Sequence, residues 1–171
     1  MPATRTLVSV QEYLTSVYQP DCDYVDGQLE ERNLGELDHS WLQGALTAYL
    51  FARRKVWKIT VLPEQRVQVK STRYRVPDIC VVLGPKPDEQ ILSKPPFICI
   101  EILSPEDRMS RVRKRLQDFI DMGVAYVWIL DPVERRAFTI TAADGFQEVK
   151  DGILKTLDPA IEVPLGEIFS D

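Results

Sequence analysis

Little in this chain of 171 residues points to a covalent or prosthetic framework. Its three cysteines, Cys22, Cys80 and Cys99, form no C-x-x-C pair and are too few for a disulfide scaffold. Cys80 and Cys99 fall inside apolar stretches, where a free cysteine packs as a small hydrophobe in a reducing compartment. There is one histidine, so zinc-type Cys/His spacing and H-E-x-x-H are both excluded. G-x-S-x-G and a phosphate-binding glycine loop are missing too. No apolar run approaches the ~20 residues a bilayer requires, and no charged-then-apolar leader opens the chain, so a cytoplasmic protein with no membrane partner is expected. Basic charge is not in excess either: 21 Lys and Arg face 26 Asp and Glu, for a net charge of −5. That excludes a global field for nucleic acid and leaves phosphate binding to local clusters such as Arg53-Arg54-Lys55 or Arg111 to Arg115. No repeat or low-complexity segment appears. What is present, at 44% hydrophobic residues, suffices for one compact core and a single domain over residues 1–171.

The most informative stretch runs from Tyr74 to Leu103 and reads as two apolar strands, each carrying one carboxylate. Strand side chains alternate with period two, so over Val76 to Leu83 Asp78 shares a face with Cys80 and Val82, opposite Ile79, Val81 and Leu83. Over Phe97 to Leu103 the same counting groups Glu101 with Phe97, Cys99 and Leu103, opposite Ile98, Ile100 and Ile102. Asp78 stands near the start of its strand and Glu101 near the end of its own. If the strands pair antiparallel, the two acids meet at one end of the sheet. An unpaired charge among apolar neighbours is costly, and two acids together repel, which a divalent cation with oxygen ligands relieves. The competing reading is a pair of hydrogen-bonded turn residues.

Around this stretch the chain is punctuated clearly. Val8 to Tyr18 reads as a short amphipathic helix capped near Ser9, and Asp26-Gly27 as the turn of a hairpin over Asp23 to Glu31. Asp38 is placed to cap a helix with Leu42, Ala45, Leu46, Tyr49 and Leu50 on one stripe, ending in Arg53-Arg54-Lys55. Strand patterns follow at Val56 to Leu62 and Gln65 to Lys70. The connection of about twelve residues between the acid-bearing strands is too long for a tight hairpin. Ser104-Pro105-Glu106-Asp107 predicts a helix start with Ser104 as N-cap and Asp107 closing a capping box. The stripe of that helix is Met109, Val112, Leu116, Phe119 and Ile120, and Gly123 ends it. Ala125 to Leu130 is then a buried strand, and strand, helix, strand forces a parallel pair in an otherwise antiparallel sheet. Short strands at Ala137 to Ala142, Phe146 to Lys150 and Ile153 to Lys155 predict a meander at the sheet edge, before Ile161 to Ile168 closes the chain.

The helix after Glu101 supplies cations. At ~100° per residue, Arg108 and Arg115 flank one side of its apolar stripe, Arg113 flanks the other, and Lys114 points away. The plain alternative for each is a solvated helix face. His39 lies in a first helical turn, where a partly exposed residue is the ordinary role and a base or metal ligand the sharper one. Glu30 and Glu64 are weaker candidates.

Pro77-Asp78, Glu101-Ile-Leu-Ser-Pro, the charged helix, Gly123-Val124 and Trp128-Ile-Leu-Asp-Pro resemble the PD-(D/E)XK nuclease superfamily, and within it the Uma-type restriction endonucleases. Glu12-Tyr13-Leu14, Asp26-Gly27 and His39 extend the resemblance through nearly the whole chain. The resemblance implies a restriction-endonuclease-like α/β core, a mixed sheet with flanking helices. It implies Asp78 and Glu101 as Mg²⁺ ligands, with Mn²⁺ an alternative and the carbonyl of Ile102 assisting. It also implies hydrolysis of DNA phosphodiesters, and a homodimer is expected. One position departs from the pattern: the superfamily lysine two residues after the glutamate is Leu103 here. In the resembling branch the lysine comes from the following helix, where the spacing to Gly123 and Trp128 puts Arg115, with Lys114 adjacent. Ser-Pro is also followed by Glu106-Asp107 in place of the branch's Ser-Thr. A metal-dependent endodeoxyribonuclease is therefore the leading expectation. A catalytically degenerate binding or assembly protein on the same fold is the second, and a phosphoesterase acting on RNA or nucleotides the third.

Overall fold

Two long helices enclose a six-stranded sheet, with a smaller sheet at one end, in a computed structural model that describes residues 6–33 and 35–170. The first helix, α1 (Val10–Thr15), is shorter than its pattern suggests. Ser9 caps it by accepting the Glu12 N–H at 3.1 Å, and Ser16 is already extended. Strands β1 (Cys22–Val25) and β2 (Gln28–Glu31) form the expected hairpin. Asp26 and Gly27 both take positive φ, 49° and 90°, which is the two-residue turn that Asp-Gly favours because it matches strand twist.

Helix α2 (Leu37–Trp57) starts one residue before Asp38, with Glu36 at the N-cap, so Asp38 lies in the first turn instead of capping it. An acid there still complements the helix dipole. The helix also runs through Val56 and Trp57, beyond the expected basic end, until Lys58 takes a left-handed conformation. Strand β3 (Ile59–Pro63) therefore begins later than the β-branched run suggested. β4 (Val67–Lys70) and β5 (Arg73–Arg75) join the hairpin in the small sheet, ordered β2-β1-β5-β4.

The large sheet has the order β10-β9-β8-β7-β6-β3, built from β3, β6 (Ile79–Leu83), β7 (Ile98–Ile102), β8 (Tyr126–Asp131), β9 (Arg136–Thr141) and β10 (Gly145–Glu148). Only β7 and β8 run parallel, because α3 (Met109–Met122) carries the chain back across one face. The connection between β6 and β7 is tied down partway: Leu92 is buried and bridges Val67, donating its N–H to Arg66 O at 3.0 Å.

The start of α3 differs from expectation. Asp107 does reach back to the Ser104 N–H at 2.7 Å and donates its own N–H to Ser104 O at 2.9 Å, but these bonds close a self-contained turn. Asn33 holds the same carboxylate at 2.8 Å, the chain stays extended at Arg108 (φ −84°, ψ 115°), and the helix begins at Met109. Gly123 ends it in the left-handed region, φ 101°, as expected. The C-terminal meander extends the large sheet through β9 and β10 only. β11 (Ile153–Lys155) pairs instead with β12 (Glu162–Pro164), ahead of the short α4 (Leu165–Phe169).

The period-two pattern sorts into two packed layers. Ile79, Val81, Ile98, Ile100 and Trp128 meet the Leu42, Leu46 and Leu50 stripe of α2, while Cys80, Cys99, Val127 and Ile129 meet Val112, Leu116 and Phe119 of α3. Each such leucine, fully buried, contributes about 1.5–3 kcal/mol. All three cysteines are free and buried.

Candidate active site

β6 and β7 pair antiparallel with Ile79 opposite Ile100 and Cys80 opposite Cys99, so the next pair outward is Asp78 and Glu101. Asp78 O accepts the Glu64 N–H at 3.0 Å, and Gly84 N–H reaches Lys58 O at 2.7 Å. The even-numbered residues of β6 therefore direct their backbone groups toward β3. Across β6 and β7, Asp78 and Glu101 thus form a non-hydrogen-bonded pair, the kind in which facing side chains lie closest. Both acids are buried on the α3 face, beyond the cysteine pair.

The two carboxylates are held differently. Asp78 Oδ2 accepts the Ile102 N–H at 2.7 Å, and Oδ1 accepts Arg32 Nη2 at 2.8 Å with His39 Nε2 at 3.4 Å. Gln43 Nε2 donates to the Asp78 carbonyl at 3.0 Å. Burial pushes the Asp78 carboxyl up, but the His39 hydrogen bond, the His39 and Arg32 charges and the Ile102 N–H outweigh it and hold it below the ordinary carboxylate range. His39 is raised in turn by its hydrogen bond to Asp78.

Glu101 Oε2 accepts Arg115 Nη1 at 2.9 Å. Burial nevertheless pushes this carboxyl up to about 7, with Arg115 working against the shift and Asp78 and Asp23 adding to it. The two acids are thus driven apart, one ionised and one proton-holding near neutrality. Arg115 is held charged chiefly by Glu101, and its Nε lies 3.3 Å from Asp23 Oδ2. Asp23 also accepts the Val76 N–H at 2.9 Å and Arg75 Nη1 at 3.1 Å, and Arg75 continues to Glu30 and Asp118, each at 2.8 Å.

Glu101 Oε1 is buried with no hydrogen-bond partner among the described residues. An orphaned carboxylate oxygen beside a second buried acid fits a hard divalent cation. Among the described residues no group of three or more His, Cys, Asp or Glu forms a full ligand set. The site therefore suits an ion that binds through one or two carboxylates and completes its shell with water and phosphate oxygens, as Mg²⁺ does. Both Asp78 oxygens are already engaged, Oδ1 by Arg32 and Oδ2 by the Ile102 N–H.

Arg32, His39, Gln43, Asp78, Ser104 and Arg115 all line one polar pocket of about 120 Å³. A larger apolar groove of about 860 Å³ lies elsewhere, between α3 and β8 to β10, and contains neither acid. Asp78, Ile102 and Arg115 share the polar pocket, and Glu101, which does not line it, is tied to it through Arg115, whereas Lys114 is exposed on α3 and takes no part in these contacts. Ile102 contributes its N–H to Asp78. Arg32, Gln43 and Asp23 escape sequence reasoning. Asp23 carried the signal that marked the other acids, a carboxylate inside an apolar strand, but Arg32 lies in irregular chain after β2 and carried none.

The comparison with protein-family models matches residues 10–165 to Uma2, described as "Putative restriction endonuclease". The chain belongs to the Uma2 family. Membership agrees with the PD-(D/E)XK resemblance and with the mixed α/β sheet. The Uma2 chain also matches a solved structure described as a putative nuclease belonging to DUF820 from Anabaena variabilis, with a TM-score of 0.81 and 21% identity, over 95% of this chain and 98% of that one. At that identity the likeness is one of fold. No curated protein matches. No described helix is long and apolar enough to cross a membrane.

Proposed function

We propose that this Uma2 chain is a divalent-metal-dependent endodeoxyribonuclease that hydrolyses phosphodiester bonds at the Asp78–Glu101 pair. The observation that carries this is the pairing of β6 with β7, which sets two buried acids face to face and leaves Glu101 Oε1 without a partner. Asp78 and Glu101 would hold Mg²⁺ or Mn²⁺. When bound, such an ion supplies Lewis-acid neutralisation of charge on the phosphate.

The chain's own groups have separable roles. Asp78 is kept ionised and aimed by the Ile102 N–H, and Glu101, whose carboxyl burial pushes up to about 7, would be held ionised by a cation bound beside it. Arg115 stays protonated and lies 2.9 Å from Glu101, so it neutralises charge accumulating on the non-bridging phosphate oxygens as water attacks phosphorus. It cannot act as a base, because a guanidinium does not surrender its proton. His39, 3.4 Å from Asp78, steadies that acid from the α2 side.

The test is cleavage of supercoiled plasmid DNA with Mg²⁺ or Mn²⁺. Activity is expected in the wild-type chain and absent in Asp78→Ala and Glu101→Ala; full activity in either variant removes the assignment. One observation favours a second reading, a binding or assembly protein on a degenerate nuclease fold: both Asp78 oxygens already have partners within the chain, Arg32 and the Ile102 N–H. Calorimetry with millimolar Mg²⁺ separates the two, since the second reading expects no metal binding by a fully folded chain.

A further inference from the structure

Helix α3 carries four cations, Arg111, Arg113, Lys114 and Arg115, with Arg108 at its N-cap, and packing divides them. Arg115 is paired with Glu101 and Asp23, whereas Arg108, Arg111, Arg113 and Lys114 are exposed and have no ion-pair partner among the described residues. Viewed down the helix at about 100° per residue, Arg111 lies about 40° to one side of Arg115, and Arg108 stands in extended backbone at the N-cap, just before the helix's first turn. Arg113 falls about 160° away, on the side that lines the apolar groove. The line continues inward to Asp118, which is buried beneath Arg73 and Arg75. One face of α3 is thus covered by the small sheet at Asp118 and Arg115, and emerges at Arg111 and Arg108 as bare guanidinium groups.

We propose that Arg108 and Arg111 form a track for the backbone of duplex DNA, leading its phosphates to Arg115 and the acid pair. From Arg111 to Arg115 the helix rises ~6 Å at 1.5 Å per residue, about two nucleotide steps of one strand at 3.4 Å each, and Arg108 continues the row past the helix start. The acids nearest to it in sequence are Glu106 and Asp107. The Asp107 carboxylate is already engaged by the Ser104 N–H and Asn33 at the pocket rim. A net charge of −5 repels a polyanion from the molecule as a whole, so a local row of unpaired arginines must supply the attraction. Arginine suits the task, since its planar fork can grip phosphate through two donors. The inference rests on reading the acid pair as a nuclease site.

The test measures binding without cleavage: anisotropy of a fluorescein-labelled duplex with the full chain in EDTA, across a range of salt. Each phosphate contact contributes ~0.9 to the slope of log affinity against log salt. Arg108→Ala and Arg111→Ala are each expected to reduce the slope by about that amount. With both replaced, the wild-type chain should lose about tenfold more affinity than the variant between ~50 and 200 mM salt. Arg113→Ala removes the same charge from the opposite face and should leave the slope unchanged. An unchanged slope in the Arg108 and Arg111 variants, an equal fall in Arg113→Ala, or no duplex binding by the wild-type chain overturns the proposal. All three positions are exposed, so melting curves should match the wild type. Plasmid cleavage, assayed separately, reports on the acid pair: binding that depends on Arg108 and Arg111 without cleavage would retain the track and remove the nuclease reading.

Discussion

Replacing Glu101 by glutamine should stabilise the metal-free protein, and only above mildly acidic pH. The carboxyl is buried and pushed from 4.5 up to about 7, chiefly because burial disfavours its charged form. A carboxyl whose folded-state value exceeds its unfolded one binds its proton more tightly in the folded state. Its favourable contribution is present in full below pH 4.5 and is lost as pH rises through about 7. At 1.36 kcal/mol per pH unit, that interval corresponds to a penalty of about 3 kcal/mol once Glu101 is ionised. Glutamine keeps the shape and an acceptor for Arg115 but never ionises, so it reproduces the protonated state at every pH. For a chain of this length ~3 kcal/mol is about 6–12 °C in melting temperature. Thermal melts by circular dichroism in EDTA, at about pH 4.5 and about pH 8.5, should show the variant level with wild type at the lower pH and higher by that amount at the upper. A variant that melts below wild type at high pH, or that shows the same change between the two pH values, would refute the idea that an unrelieved buried charge strains this site. Mg²⁺ should raise the wild-type melting temperature at high pH and leave the variant's nearly unchanged.

Arg75 is 1% exposed and holds Asp23, Glu30 and Asp118 together, so Arg75→Met breaks a buried ion-pair network, leaving Asp118 only Arg73 and Asp23 only Arg115 as cation partners, and should cost about 3–5 kcal/mol in urea unfolding. Leu46→Ala opens a cavity where α2 packs on the sheet and should cost about 2–5 kcal/mol by the same measurement. In the plasmid assay Arg115→Ala should reduce cleavage about 100-fold or more, as losing one charge-stabilising donor does elsewhere, whereas Arg115→Lys should retain most of it. Equal activity in all three proteins would remove Arg115 from the site.

Much of the fold was readable because local chemistry and tertiary structure agree. Asp26-Gly27 makes its turn, Gly123 ends α3, and the period-two counting puts Ile79, Val81, Ile98 and Ile100 on one buried face and Cys80 and Cys99 on the other, whereas Phe97, counted with Cys99, packs on the α2 side instead. The misreadings fall where a distant partner intervened. Ser104-Pro105-Glu106-Asp107 carries every local mark of a helix start, yet Asn33, remote in sequence, helps Asp107 close a separate turn. The strand at β11 found its partner in β12, in a separate two-stranded sheet whose Leu154 and Val163 pack into the α2-side core.

The sequence by itself singled out candidates: two acids in apolar strands, opposed if those strands run antiparallel, and an arginine one helix later flanking the apolar stripe. Alternation along a strand and rotation around a helix are local properties, so composition and spacing suffice to assign faces. Only the tertiary structure decided the state of those residues. It placed Arg32 and His39 on Asp78, left one Glu101 oxygen without a partner, and ran a chain of ion pairs from Arg115 through Asp23 to Arg75. Charge states depend on burial and on which opposite charge arrives from elsewhere in the chain, and neither is encoded within the few residues around an acid.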